Sequence, residues 1–272
     1  MIRKLSVPVS ALALAMMAVA VPAHAVISSA SSEGDALTAK VSVLGTSLLN
    51  LNLLAKAEGT AAPNYADHQS LPLNVNAGIP LVASANVNAT TLYGDATFDG
   101  ATVFGQGGVT GLNLGVNLLN LFGSTPVLGL TNATLYSTST ITGDYGSLSA
   151  VGDSTITQGQ LNVLGHLLDL SVYADAAPNT VVDVAGLLGL TGVHLTLNEQ
   201  IGGTCSSFAC AIETNALHLV VDPLGLNVVG ADIVLGHSMA EVTAAVPEPG
   251  EWGMMLVGLG MLGSFGRRRR QA

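Results

Sequence analysis

Leu81-Val-Ala-Ser-Ala-Asn-Val-Asn-Ala89 alternates with period two: Leu81, Ala83, Ala85, Val87 and Ala89 share one face, and Ser84, Asn86 and Asn88 lie on the other. A helix would scatter those apolar positions round its axis, whereas a strand collects them on one side. The same alternation places Leu49, Leu51, Leu53, Ala55 and Ala57 together, and again Leu168, Leu170, Val172, Ala174 and Ala176. Val193-His-Leu-Thr-Leu197 and Asn215-Ala-Leu-His-Leu-Val-Val221 repeat the pattern. Strands of eight or nine residues with one apolar and one polar face belong in antiparallel sheets covered on one side. Gly and Asn between these runs supply turns. Val116 to Phe122 and Val184 to Leu190 read as short helical turns, and no long helix is expected in the body.

Two echoes run through the chain. Val43-Leu-Gly-Thr-Ser-Leu-Leu-Asn-Leu-Asn-Leu, followed by Ala62-Pro-Asn64, resurfaces as Val163-Leu-Gly-His-Leu-Leu-Asp-Leu-Ser-Val and Ala177-Pro-Asn179. Asn88-Ala-Thr-Thr-Leu-Tyr93 resurfaces as Asn132-Ala-Thr-Leu-Tyr136. The two spacings differ, which argues against a regular array of short coils. The expected fold is therefore all-β: an antiparallel β-sandwich-like body with a possible internal duplication, a β-solenoid being the alternative.

Both ends of the chain read as processing segments. Met1-Ile-Arg-Lys4 is basic, Leu5 to Val21 is apolar, and Ala23-His24-Ala25 offers small residues at a cleavage site, so residues 1–25 read as a secretory signal peptide cut after Ala25. Residues 26–242 form the β-rich body and 243–272 the tail. That tail places Pro247, Glu248 and Pro249 before a run of 15 uncharged residues, Trp252 to Gly266, and then Arg267, Arg268, Arg269 and Arg270. As a helix the run reaches about 22 Å, short of a hydrocarbon core of about 30 Å. Snorkelling arginines and local thinning make up the difference, and the arginine block fixes the C-terminus on the cytoplasmic side. Gly260, Gly263 and Gly266 leave a strip of small residues against which a membrane enzyme can pack.

This tripartite order is similar to the PEP-CTERM sorting signal, which exosortase-type membrane proteases read. The resemblance implies a chain held transiently by its tail, cut near Pro247 to Pro249, and passed to the cell surface or matrix. An ordinary tail anchor is the alternative, although it has no use for the Pro-Glu-Pro element. A second resemblance rests on Ala36-Leu-Thr-Ala-Lys-Val-Ser-Val-Leu44, Thr214-Asn-Ala-Leu-His-Leu-Val-Val221 and Gly230-Ala-Asp-Ile-Val-Leu-Gly-His-Ser238. These stretches look like the choice-of-anchor P family, which implies a surface location and brings no known chemistry.

Charge narrows the partners. From Val26 to Val246 the only basic residues are Lys40 and Lys56 against 16 acids, so the body carries 2 − 16 = −14 within a chain total of −10. Nucleic-acid binding needs cations to displace phosphate counterions, and phosphate clamps need the same residues, so both are excluded. An acidic body of this kind repels anionic polymers unless divalent cations bridge them.

Few residues suggest chemistry. Cys205 and Cys210 mature in an oxidising compartment and are expected to form a disulfide pinning a hairpin tip. The alternative is a metal site recruiting His194 and His218, for which the cysteine spacing is poor. Gly236-His-Ser-Met-Ala240 resembles a nucleophile elbow, but no histidine follows Ser238, so it reads as a strand end. Asp95, Asp99, Asp144, Asp153 and Asp175 sit beside Gly or Ala in turn-like stretches without a calcium-loop pattern. Thr138, Thr140 and Thr142 are expected to line one strand face. No catalytic residue, no metal ligand and no cofactor is assigned. The expectation is an exported surface or exopolysaccharide-matrix protein with a structural or adhesive, non-catalytic role. The alternative is a polysaccharide- or small-ligand-binding module. Its processing partners are signal peptidase and exosortase, its membrane contact is transient, and exopolysaccharide is the candidate lasting partner.

Overall fold

The computed structural model describes residues 27–60, 64–79, 82–118, 127–188, 192–222, 229–245 and 258–260. Residues 27–244 form one compact unit. Two antiparallel sheets make it up. Sheet A runs, in spatial order, β10 (Thr180–Val182), β11 (Val193–Gly202), β12 (Ala209–Val221), β13 (Val229–Ala244), β1 (Ile27–Val43) and β2 (Thr46–Leu54), with β3 (Ala57–Gly59) continuing the edge beside β1. Sheet B runs β4 (Tyr65–Ile79), β5 (Ala83–Phe98), β6 (Thr102–Leu118), β7 (Leu128–Thr142), β8 (Ser149–Val163) and β9 (His166–Asp169). This is the sandwich, with every described pairing antiparallel and no stacked coils. The first and last strands are neighbours, paired from Ile27 opposite Ala244 to Val43 opposite Val229.

The long strands have 13 to 17 residues, nearly twice the length read from alternation. The long strands other than β4 change phase part-way. In β6 the inward residues are Val103, Gly105, Gly107 and Val109, then Leu112, Leu114, Val116 and Leu118. In β13 they are Val229, Ala231, Ile233 and Leu235, then Ser238, Ala240, Val242 and Ala244. One extra residue at a bulge lets a strand switch parity and still bury one continuous face. The switches fall at one level of sheet A, near Ala36, Asn198, Ala216 and Gly236, and at one level of sheet B, near Thr90, Gly111, Asn132 and Gly159. Asn132, Asn198, Gly111 and Gly236 take left-handed backbone there, the region that Asn and Gly tolerate best.

The bulge lines divide the interior. On one side is a large leucine, valine and alanine core that includes Leu37, Leu112, Leu118, Leu195 and Ile233. At the opposite end is a small cluster around Ile27, Phe98, Ile141, Ile212 and Val242. Between the two, the sheets meet backbone to backbone at a waist. A β-carbon built on Gly105 would stand 2.5 Å from the Met239 carbonyl oxygen and nearer still to that of Glu33. Gly34, Gly94 and Gly107 are closed in the same way by carbonyls of the facing sheet. Sheets in a sandwich ordinarily pack about 10 Å apart, and only glycine permits this approach.

Several expectations need correction. Leu168 and Leu170 are buried, but the strand ends at Asp169, whose carboxylate accepts the Ser171 N–H at 2.9 Å and caps a 3₁₀ turn, Leu170–Tyr173. Val172 is therefore 70% exposed and not on the apolar face. Val116 lies in β6, not in a helical turn, whereas Val184–Leu188 is a one-turn helix, α1. Leu49 to Ala57 is one edge strand broken at Ala55, where the backbone turns left-handed opposite the β1 bulge. Close approach of the sheets occurs at the waist glycines; Ala83, Ala85 and Ala89 belong to the wide core. The first echo is a shared turn: Leu44-Gly45 joins β1 to β2, Leu164-Gly165 joins β8 to β9, and all four have positive φ. That is the backbone of a tight two-residue hairpin, placed at the outer strand of each sheet.

Candidate functional site

Hydroxyls stitch the waist together. Ser137 on β7 donates to the Thr214 carbonyl at 2.9 Å, and Ser139 donates to the Ser238 carbonyl at 3.0 Å. The hydroxyls of Ser139 and Thr214 lie 3.0 Å apart, as do those of Ser139 and Ser238. Ser137, Ser139, Thr214 and Ser238 are all fully buried. Ser238 thus sits in mid-strand and ties the sheets together, which corrects its reading as a strand end and removes it as an exposed nucleophile.

Outward from the waist, sheet A carries a row of polar side chains. Register places Asp35, His237, Asn215 and Glu199 side by side across β1, β13, β12 and β11. Asn215 accepts the His237 Nδ1–H at 2.8 Å and donates its own amide to Glu199 at 2.8 Å. The ring of His218 continues the row, with Nδ1 3.0 Å from Glu199 and Nε2 3.2 Å from Asp232. Asp35 is 1% exposed, and burial pushes its carboxyl up to about 6 against the pull of His237. Glu33 beside it pairs with Lys56 at 3.1 Å, and Lys56 also meets Glu58 at 2.6 Å. These carboxylates raise the Lys56 ammonium above its ordinary value. Composition alone did not flag this row, because its members come from opposite ends of the chain. Alternation did hint at it: a charged residue at Asp35 beside apolar Ala36 and Leu37 marks a place where the strand cannot bury all three on one face.

Sheet B differs. Its outer face is uncharged over wide stretches, and Asn74, Asn88 and Asn113 stand in register across β4, β5 and β6. Thr138 and Thr140 point outward from β7, as alternation predicts. Pro72 lies within the edge strand β4, a position where a missing N–H breaks no ladder bond.

The remaining sequence candidates scatter. Cys205 and Cys210 are bonded to each other at the tip of the β11–β12 hairpin, so they are not available with His194 and His218 as a metal set. That tip is fixed to the β7–β8 loop by the Gly146 N–H, which donates to the Ser207 carbonyl at 2.6 Å. Asp99 caps the β5–β6 turn by accepting from Ala101 and Thr102 N–H groups at 2.9 and 2.7 Å, which lowers its pKa. Asp95 and Asp153 lie within β5 and β8, not in turns, and Asp95 meets the His68 ring. Ala23, Ala25, Pro247, Glu248, Pro249 and Arg267 to Arg270 lie outside the described residues. Gly258–Gly260 are helical, and among the described residues no helix is long and apolar enough to cross a membrane.

A two-layer antiparallel sandwich with polar outer faces and a disulfide at one tip defines an export-compatible all-β body. The PEP-CTERM protein-sorting motif matches residues 245–270, starting at the residue after β13 ends. The chain is therefore an exosortase-sorted extracellular protein. No curated protein and no solved structure matches it.

Proposed function

We propose that the mature sandwich is a structural or adhesive, non-catalytic component of the cell surface or exopolysaccharide matrix. The observation that carries this reading is the sorting motif joined directly to a sandwich whose outward positions are mostly Asn, Thr, Ser and Gln. The resemblance to the choice-of-anchor P family supports the same location. Signal peptidase acts after Ala25, and exosortase near Pro247 to Pro249, the arginine block holding the chain until the cut. Mass spectrometry of the protein from matrix and cell fractions tests this. The expected matrix species ends near Pro247, and cells without the sorting protease accumulate the full tail. Matrix protein still carrying Trp252 and Arg267 to Arg270 would sink the reading.

One observation favours a second reading, a polysaccharide-binding module. In the row, Asn74 and Asn88 expose side-chain amides to a neutral, hydroxyl-rich chain, whereas Asn113 is held by the Gly111 carbonyl and the Asn132 N–H. Co-sedimentation with the native exopolysaccharide, lost in an Asn74→Ala, Asn88→Ala double variant, would favour binding over pure scaffolding.

A further inference from the structure

The row on sheet A contains an arrangement that sorting does not use. Glu33 and Asp35 are alternate residues of β1 and leave it on the same side, and His237 stands opposite Asp35 on β13. One ligand atom from each of the three lies within 4.8 Å of the others. Asp35 is 1% exposed, and among the described residues neither carboxylate oxygen has a hydrogen-bond partner. Buried carboxylates are ordinarily satisfied by donors or by a cation. Asp35 Oδ2 points instead toward His237 Nε2, 4.0 Å away.

The state of that imidazole is set from outside the cluster. The Asn215 amide is oriented by its bond to Glu199, so its oxygen faces His237 and takes the Nδ1 proton. The lone pair is then on Nε2, toward Asp35 and Glu33. Metal-binding imidazoles are held in this way, with one nitrogen engaged by a fixed acceptor and the other presented to the ion. Glu213 lies 3.6 Å from Nδ1, on the far side of the ring, and is not a ligand.

We propose that Glu33, Asp35 and His237 bind one divalent transition metal between the first and last strands, with Asn215 as the positioning residue. One imidazole with two carboxylates suits zinc and its neighbours, whereas calcium takes six to eight oxygens. A tetrahedral set at about 2.1 Å spaces ligand atoms about 3.4 Å apart, so the 4.0 Å between Asp35 Oδ2 and His237 Nε2 closes by about 0.6 Å and the flexible Glu33 moves inward with it. Lys56 competes for Glu33 and can shift wholly to Glu58. This inference does not depend on the proposed role of the protein.

The full chain in mild detergent, stripped with chelator, is titrated calorimetrically with Zn²⁺ and with Ca²⁺. One Zn²⁺ per chain is expected, with much weaker Ca²⁺ binding. Asp35→Asn and His237→Gln abolish the zinc isotherm. Asn215→Ala weakens it by about 10- to 100-fold at unchanged stoichiometry. His218→Gln, on the same face, leaves it unchanged. Imidazole ¹⁵N spectra should show zinc moving the His237 Nε2 resonance, and Lys56→Met should tighten binding. These last two readouts stand even if the ligand variants fail to fold. Absence of stoichiometric zinc, binding that survives both ligand variants, or a zinc shift at another imidazole would overturn the proposal.

Discussion

The wide core and the waist are built from the same strands and kept apart by opposite means. In the wide half, Leu112, Leu118, Leu195 and their neighbours hold the sheets a side chain apart, and stability there comes from apolar burial. A few residues along the same strands, Gly34, Gly94, Gly105 and Gly107 bring the sheets into backbone contact, and serine hydroxyls replace the missing side chains. The spacing of a sandwich is therefore set locally by residue size. The bulges let one strand serve both regimes without turning its apolar face to water.

The comparison breaks most sharply under reciprocal substitutions. Gly105→Ala drives a methyl into the Glu33 and Met239 carbonyls and is expected to cost more than about 3 kcal/mol or to abolish folding. Leu112→Ala in the wide half leaves a cavity and costs about 2–5 kcal/mol while the chain still folds. Urea unfolding measures both, and a Gly105→Ala protein as stable as the parent would show that the waist is not closed. A smaller effect belongs to Ser139→Ala, which takes the hydroxyl from the Ser238 carbonyl and the Thr214 hydroxyl. It should cost about 1–3 kcal/mol, with no change in urea sensitivity at the wide core as read by hydrogen exchange.

The mildest test reads the outside of the waist. Tyr93 lies over Gly108, and burial, helped by Tyr136 and Asp95, pushes its phenol up to about 12. The folded chain keeps a proton that the unfolded chain releases from about pH 10, so this group lowers stability as pH rises from about 10 to about 12 and has no effect below. Phenolate absorbance should show a late tyrosine that is lost in Tyr93→Phe, besides the Tyr65 phenol, which burial also raises. Uniform titration of every tyrosine near pH 10 would mean the ring is not packed as described.

Much of the fold was legible because alternation survives in half-strands. Leu81 to Ala89 stops where Thr90 begins the bulge, Val193 to Leu197 stops at Asn198, and Asn215 to Val221 starts beside Ala216. These three runs are thus strand segments cut short by a change of parity, whereas Leu168 to Ala176 leaves its strand at Asp169 for a 3₁₀ turn. The cues to rejoin them, Gly236 and Asn132 between runs of opposite phase, are weak because Gly and Asn also mark turns. The disulfide was legible from spacing and compartment alone. Asp35 with His237 was not, since it needs the pairing of the first strand with the last, which nothing local in either strand announces.

That pairing has a consequence for how the molecule is made. β1 leaves the membrane first, but its partner β13 is the last part of the body to emerge, so sheet A stays open until the final residues before the sorting motif have crossed. A chain that stalls early leaves β1 without its partner in the middle of sheet A. Chains truncated before Val229 should therefore be degraded where the whole body persists.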